Sequence, residues 1–145
     1  CDWSSDVCSS DLGRDAAGVT TFTVETDDHT AVHDVTDRVR EALPDDADGT
    51  CTVFCEHTTA GLVVNEAERR LLGDIESFVE GIVPDEGWAH DEIDDNAGSH
   101  LRALLLGAHV TVPVADGEPD MGTWQSIVLV ECDGPRTRTV RVLVE

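Results

Sequence analysis

The stretch that decides the fold is residues 109–144, HVTVPVADGEPDMGTWQSIVLVECDGPRTRTVRVLV. Three runs within it, at 109–114, 124–132 and 137–144, are apolar and β-branched, as strands are. The last two are predicted to form a hairpin through DGPR, whose Asp, Gly and Pro residues favour a turn. Because these strands follow one another, the stretch predicts an antiparallel sheet and an α+β fold rather than strict βαβ alternation.

Two further strands are predicted upstream. Residues 20–26 alternate in polarity, which is the pattern of a half-buried strand. Residues 50–57 read in the same way and place on one face Cys51, Val53, Cys55 and His57. Four residues along a strand separate the two cysteines by roughly 13 Å, which is too far for a disulfide. We therefore expect buried, reduced thiols.

Apolar residues at spacings of three and four predict three helices. The first covers residues 33–43 and the second residues 66–83. The third is capped by Asp95 or Asn96. Its inward face is expected to hold Leu101, Leu104 and Leu105. A chain of 145 residues makes one domain with a core of its own.

The first residues differ in character from the rest. Residues 1–12, CDWSSDVCSSDL, have no apolar periodicity, and one choice of codons for them spells an adaptor used in DNA sequencing. We expect this segment to be an adaptor scar that is not native, followed by a leader or disordered segment at 13–18. The folded domain is then predicted to span residues 19–145.

The charge balance excludes several classes of function. The chain has 31 Asp and Glu residues against 9 basic residues, all of them Arg, and its formal net charge is −22. Such a surface repels nucleic acids and anionic membranes, whereas a metal or a small cationic substrate suits it. No long apolar run or signal peptide is evident, so we expect a cytoplasmic protein. The acidic, lysine-free composition is typical of salt-in halophiles and predicts an origin in a halophilic archaeon.

Three histidines are candidates for chemistry. His57 ends the apolar stripe of its strand, where it is either a structural residue or a ligand beside the small residues that follow it. His90 and His100 bracket the acids of HDEIDDNAGSH, which is either a solvated acidic loop or part of a metal site. A spacing of this kind is not a standard zinc motif, but neutral imidazoles suit zinc, and three of them would leave a position open.

Other polar and aromatic residues leave alternatives open. Trp124 is either core or site wall, and Gln125 could hold a polar group of a substrate. Arg136 and Arg138 are rare cations in this chain that could meet a phosphate or could form surface ion pairs with the many acids.

Four motifs in this order closely resemble the YjbQ family, also described as secondary thiamine-phosphate synthase enzymes. They are EHTTAGLVVNE, WAHDEIDDNAGSHL, PVADGEPDMGTWQSI and ECDGPRTRTVRV, and the resemblance spans about Thr20 to Glu145. It implies a single α+β domain built on an antiparallel β-sandwich with flanking helices. It also implies a homotrimer.

The resemblance further implies a site. Its metal ligands are expected to be His57, His90 and His100, holding a divalent metal, zinc or, with a pyrophosphate substrate, magnesium. The candidate catalytic residues are Glu66, Asp95 and Gln125. The candidate substrate contacts are Thr58, Thr59, Asn65, Asn96, Trp124 and Arg136.

The function implied is a weak thiamine-phosphate-synthase-like transferase, which couples a pyrimidine pyrophosphate with a thiazole phosphate. In a metal-assisted hydrolase, by contrast, the metal would activate a water molecule, with Glu66 or Asp95 as base. A third alternative is a non-catalytic trimeric module that binds a metal or a small molecule. For all three functions we expect a small-molecule ligand, and we expect no binding to nucleic acids or membranes.

Overall fold

The structure is a computed structural model that describes residues 13–14 and 18–145 of the chain. Its strands are β1 (Gly13–Arg14), β2 (Val19–Glu25), β3 (Ala31–Asp34), β4 (Gly49–Cys55), β5 (Ala60–Asn65), β6 (His109–Ala115), β7 (Glu118–Pro119), β8 (Ser126–Glu131) and β9 (Thr137–Val144). Its helices are α1 (Thr36–Ala42), α2 (Arg69–Ile82), a 3₁₀ turn (Ala89–Glu92) and α3 (Ala97–Leu106). The predicted adaptor scar at residues 1–12 lies outside the described residues.

The strands form two antiparallel sheets. The larger has the order β1-β2-β9-β4-β6-β7 and the smaller the order β3-β8-β5. Thus the last two long strands, β8 and β9, are consecutive in the chain but belong to different sheets. The α+β class with antiparallel sheets is confirmed. The predicted hairpin between the last two strands is wrong, because β8 and β9 pair with strands of different sheets.

The main core lies between the two sheets. Inward residues of the large sheet, such as Val53 and Val140, form one cluster with Leu62 and Leu129 of the small sheet. The predicted stripe on β4 is confirmed, because Cys51, Val53 and Cys55 are all buried. The described cysteines are free, as expected. Burial raises the pKa of the Cys51 thiol to about 11.

The predicted starts of the first two helices are wrong. Residues 31–34 form β3, so the first helix begins at Thr36 rather than His33. The second helix begins at Arg69, because the Glu68 carboxylate accepts hydrogen bonds from backbone N–H groups of its first turn. β5, for which no strand was predicted, fills the preceding residues 60–65.

The inward face of α3 was also predicted wrongly. Leu104 and Leu105 are 74% and 62% exposed, and the buried residues are instead small or polar, among them Ser99 and Arg102. Arg102 reaches the C-terminal end of α2, where it donates hydrogen bonds to carbonyl groups such as that of Val79. It therefore satisfies carbonyls that a helix end leaves without partners. The leucines form an apolar outer face.

At the N-terminal end, the leader expected at 13–18 is partly structured. Gly13 and Arg14 pair with Thr20 and Thr21 of β2. Among the described residues, no helix is long and apolar enough to cross a membrane.

Candidate functional site

A cleft of about 640 Å³ opens at one end of the small sheet. We call it the His57 cleft. It is lined by Glu56, His57, Thr58, Thr59, Asp94, Asn96, His100, Asp133, Pro135, Arg136, Thr137 and Arg138. These residues come from the β4–β5 connection, from the first turn of α3 and the segment before it, and from the β8–β9 connection and the start of β9, which are remote in sequence.

Strand register explains why the two connections meet. β5 runs antiparallel to β8 with Ala60 opposite Glu131, so the start of β5 lies beside the end of β8. The Cys132 N–H continues this pairing by donating to the Thr59 carbonyl. α3 is fixed at the same place, because the Ser99 hydroxyl donates to the Cys132 carbonyl. His100 therefore joins His57 at the wall of the cleft.

The floor of the cleft holds a buried ion pair. Nε of Arg138 donates to Oε1 of Glu131 at 2.8 Å, and Nη2 donates to Oε2. Nη2 also donates to the Thr59 hydroxyl and carbonyl. Burial raises the pKa of Glu131, but hydrogen bonds from Arg138, the Asp133 N–H and the Thr26 hydroxyl outweigh it, and the net pKa is lowered. Glu131 is thus an anion that fixes the guanidinium.

His57 is held by its Nε2 atom. The Thr139 N–H donates to Nε2 at 2.8 Å, while the Thr139 carbonyl accepts from the Glu56 N–H. Burial, and next the positive charge of Arg138, lower the pKa of His57 from its ordinary value of 6.5. The imidazole is therefore neutral near pH 7.

His90 and His100 contact each other. Their rings meet edge to face with centroids 4.9 Å apart. Nε2 of His90 lies 3.7 Å from Oδ2 of Asp94 and is buried without a hydrogen bond to the described residues. Next to them, Asp95 has a left-handed φ of 56°, which is strained for a residue with a side chain. The sequence-predicted loop is thus compact, and His100 sits in the first turn of α3.

Asn96 connects this loop to the β8–β9 connection. Its Nδ2 donates to Oδ2 of Asp133 at 3.0 Å, and the same oxygen accepts from Nη2 of Arg136 at 3.0 Å. Its own side chain makes no capping hydrogen bond to α3. Asn96 therefore positions the cleft wall, and Arg136 enters the cleft already paired with a carboxylate.

The three predicted metal ligands do not form a complete set within one chain. Within residues 13–14 and 18–145, no three His, Cys, Asp or Glu side chains are placed to hold one metal ion. His57 also uses Nε2 to accept the Thr139 N–H. The two remaining histidines are adjacent, but the described part of the chain supplies no third donor. The residues present thus do not fit the three-histidine site.

Four other predicted residues lie elsewhere. Glu66 and Trp124 line a depression of about 350 Å³, together with Asp34, Glu68 and Ser126. Asn65 pairs with Ser126 at the far end of β5 from the cleft. Six strand residues span roughly 20 Å, so these side chains cannot reach a ligand held by His57 in the same chain. Gln125 accepts from the Gly122 N–H in this region. Trp124 is 72% exposed and is not core.

Sequence reasoning did not predict the buried pair of Glu131 and Arg138. Glu131 was not singled out, and Arg138 was expected to contact a phosphate or to form a surface ion pair. A signal for Arg138 existed, because it alternates with Val140 and Val142, which puts it on the buried face of β9. A charged residue at an inward strand position requires a buried partner of opposite charge.

Comparison with known proteins places this fold in a family. The family described as UPF0047 protein YjbQ-like matches residues 20–145. The UPF0047 protein of Archaeoglobus fulgidus is 47% identical over 122 residues, which cover 83% of this chain and 96% of that protein. A UPF0047 protein of Methanothermobacter thermautotrophicus is 56% identical over 97 residues, which cover 66% of this chain and 68% of that protein.

Solved structures agree with this relationship. The crystal structure of a hypothetical protein from Aeropyrum pernix K1 has a TM-score of 0.83 and 42% identity, covering 88% of this chain and 97% of that one. A YjbQ/UPF0047 family protein from Clostridium acetobutylicum has a TM-score of 0.79 and 33% identity, covering 86% of this chain and 98% of that one. The chain belongs to the YjbQ-like UPF0047 family.

Proposed function

We propose that the protein is an enzyme that acts on a phosphorylated small molecule in the His57 cleft. The observation that carries this proposal is the meeting of His57, His100 and two arginines, brought from remote segments to one open cleft. Guanidinium groups bind phosphate oxygens through several N–H donors. A cleft of this size also suits a ligand of the dimensions of a phosphorylated heterocycle.

The reaction proposed is the coupling that the family resemblance suggests. The thiazole nitrogen attacks the methylene carbon of the pyrimidine, a C–N bond forms, and the C–O bond to pyrophosphate breaks. The leaving pyrophosphate keeps the electron pair of that bond. Arg136 and Arg138 are the residues that would neutralise its developing charge. The remaining lining residues would orient the two rings.

The acidic residues of the cleft determine whether a pyrophosphate substrate would bind with or without Mg²⁺. Glu56, Asp94 and Asp133 line the same cleft, so a bare pyrophosphate would be repelled by three carboxylates. Bound Mg²⁺ reduces the negative charge of the pyrophosphate and therefore weakens its repulsion by these carboxylates. Mg²⁺ would then arrive as part of the substrate rather than as a resident cofactor.

The function is tested by the formation of thiamine phosphate from its two phosphorylated precursors, with Mg²⁺ and multimolar KCl. The wild type is compared with His57→Ala and with His109→Ala, which alters an exposed histidine on β6 outside the cleft. We expect His57→Ala to lose at least about tenfold in rate and His109→Ala to keep the wild-type rate. Activity that survives His57→Ala unchanged would refute the proposal. Release of phosphate or pyrophosphate without a coupled product would instead support the hydrolase.

Bound zinc stays a prediction, with His90 and His100 as the two nitrogen donors that it could use. Metal content measured after purification without added metal tests it, with wild type compared with His90→Ala. Equal metal in the two proteins would exclude His90 as a ligand. Catalysis proposed above for the cleft does not depend on the outcome.

The enzyme is further proposed to assemble as a homotrimer, as the family resemblance implies. Exposed apolar residues on the outer faces of α2 and α3 and in the segment between these helices support this. They are Phe78, Ile82, Trp88, Leu104 and Leu105. An apolar surface of this kind on a soluble chain marks a contact surface, and a second copy of the chain is the partner we assign to it.

The cellular setting proposed is the high-salt cytoplasm of a halophilic archaeon. It is supported by the 31 acidic residues, the absence of Lys and the formal net charge of −22. Concentrated salt screens such a charge over a few ångströms, which removes most of its self-repulsion.

A further inference from the structure

The pairing of β9 explains the role of His57. The pairing of β4 with β9 ends where Cys55 lies opposite Val140. The next backbone N–H of β9 that points towards β4 is that of Thr139, and β4 offers it no carbonyl group because the strand has already ended. Nε2 of His57 takes the place of that carbonyl at 2.8 Å. A ring turned over by 180° would put a C–H group there and leave the N–H without an acceptor, at the cost of an unsatisfied backbone donor.

This contact fixes which ring nitrogen carries the proton. A nitrogen that accepts a hydrogen bond is unprotonated, and in a neutral imidazole the other nitrogen then carries the hydrogen. For His57 that nitrogen is Nδ1, which makes no hydrogen bond to any residue that the structure describes. His57 lines the cleft, so its free N–H is available to a ligand there.

Arg138 offers a second donor beside it. The side chain is 2% exposed, and its Nε and Nη2 atoms are used by Glu131 and Thr59. Its Nη1 makes no hydrogen bond within the described part of the chain, and Arg138 lines the cleft. A buried guanidinium that is fixed on one edge thus keeps unused N–H groups on the other.

We propose that the floor of the His57 cleft is an oxyanion site, in which neutral His57 donates through Nδ1–H beside the guanidinium of Arg138. The ligand is an anionic oxygen of phosphate or pyrophosphate type. The site rests on the cleft to which the proposed function belongs, and it assigns His57 a role different from that of a metal ligand. A metal on Nδ1 would have to displace the very proton that the Thr139 contact places there.

The tautomer is tested directly by long-range ¹H–¹⁵N spectra of protein labelled with ¹⁵N-histidine. The His57 signals are assigned by their loss in His57→Gln. We expect protonated Nδ1 and unprotonated Nε2 at neutral pH. Inorganic pyrophosphate, added as its Mg²⁺ complex, is expected to shift the Nδ1–H signal, and zinc is expected to leave the His57 signals in place. A proton found on Nε2, or zinc-induced loss of the Nδ1 proton, would overturn the proposal.

Binding of the Mg²⁺ complex of pyrophosphate supplies the second measurement. His57→Ala is expected to weaken it about tenfold, the loss typical of a hydrogen bond to a charged group. In His57→Gln the amide can accept from Thr139 and donate to the ligand, so we expect binding within about threefold of wild type. Equal binding by wild type and His57→Ala would refute the site. Pyrophosphate binding without formation of thiamine phosphate would refute only the proposed reaction.

Discussion

Arg138 and Glu131 form a two-point ion pair that is closed to solvent, with side chains 2% and 0% exposed. The pair joins β9 of the large sheet to the end of β8 in the small sheet, because each strand supplies one partner. The Thr59 hydroxyl accepts from the same guanidinium and brings in the start of β5. The same ion pair therefore forms the cleft floor and holds the two sheets together.

Breaking this pair should destabilise the fold strongly. Arg138→Met leaves the Glu131 carboxylate buried without its partner, and a loss of about 3–5 kcal/mol in the free energy of unfolding is expected. Adding Glu131→Leu to that variant removes the orphaned charge and should restore most of the loss. Urea denaturation at one fixed KCl concentration measures both.

The exposed pair between Arg141 and Glu56 provides the control. Arg141→Met should cost less than about 1 kcal/mol, because solvent screens that pair and because holding two long side chains in one geometry costs conformational entropy. Equal effects of Arg138→Met and Arg141→Met would contradict the importance assigned to burial. The importance of burial would also be contradicted if the variant carrying both Arg138→Met and Glu131→Leu were no more stable than Arg138→Met.

The apolar face of α3 should control assembly. Leu104→Glu places a charge in the proposed contact surface, and we expect trimers to dissociate to monomers. Light scattering after size exclusion, in high KCl, measures the mass. Phe54→Glu alters an exposed apolar residue on the outer face of β4 and should leave the trimer intact. A trimer that persists with Leu104→Glu, or dissociates with Phe54→Glu, would place the interface elsewhere.

Stability should depend on pH through His57. Its pKa in the folded protein lies below the ordinary value of 6.5, because of burial and then Arg138, so below 6.5 the unfolded chain binds more protons. The free energy of unfolding is therefore expected to fall as pH drops through 6.5. The slope should be less than the ~1.4 kcal/mol per pH unit of a full proton.

The matched variant for this measurement is His57→Gln, which cannot titrate. Its unfolding free energy should be flatter between about pH 7.5 and pH 5.5. Glu131 does not affect the slope in this pH range. Because its pKa is lowered from the ordinary value of 4.5, its contribution to the free energy of unfolding is lost only below pH 4.5. An unchanged slope in the variant would remove His57 as the cause.

Salt should stabilise the protein. With a formal net charge of −22, the folded chain repels itself, and at about 1 M salt the screening length is roughly 3 Å. We expect the melting temperature to rise steadily with KCl. Asp74→Lys combined with Glu92→Lys, both at exposed positions, should lessen that rise because it reduces the charge. A melting temperature independent of KCl would argue against the salt-adapted setting.

Local patterns sufficed for much of the fold. The alternation in residues 50–57 correctly placed the side chains of Cys51, Val53 and Cys55 inward, because a strand repeats every two residues. The same reasoning failed for α3, where the leucines face outward and Arg102 faces inward. Hydrophobicity alone does not tell whether an apolar stripe meets the core or another surface.

The site was predictable only in part. His57 and His100 were identified from their motifs and do line one cleft. Glu66 and Trp124 were grouped with them because the motifs occur together in the sequence, yet they lie at the opposite end of β5. A strand carries the chain about 3.3 Å per residue, so neighbours in a motif can end far apart.

The sequence by itself determined the α+β class, the inward stripe of β4 and the acidic surface, since each follows from composition or from a period of a few residues. Only the tertiary structure decided that the Thr139 N–H meets Nε2 of His57 and that Arg138 meets Glu131. The first contact joins residues 82 positions apart, and it depends on where β4 stops pairing with β9. The second depends on how two sheets stack, and no local pattern carries that information.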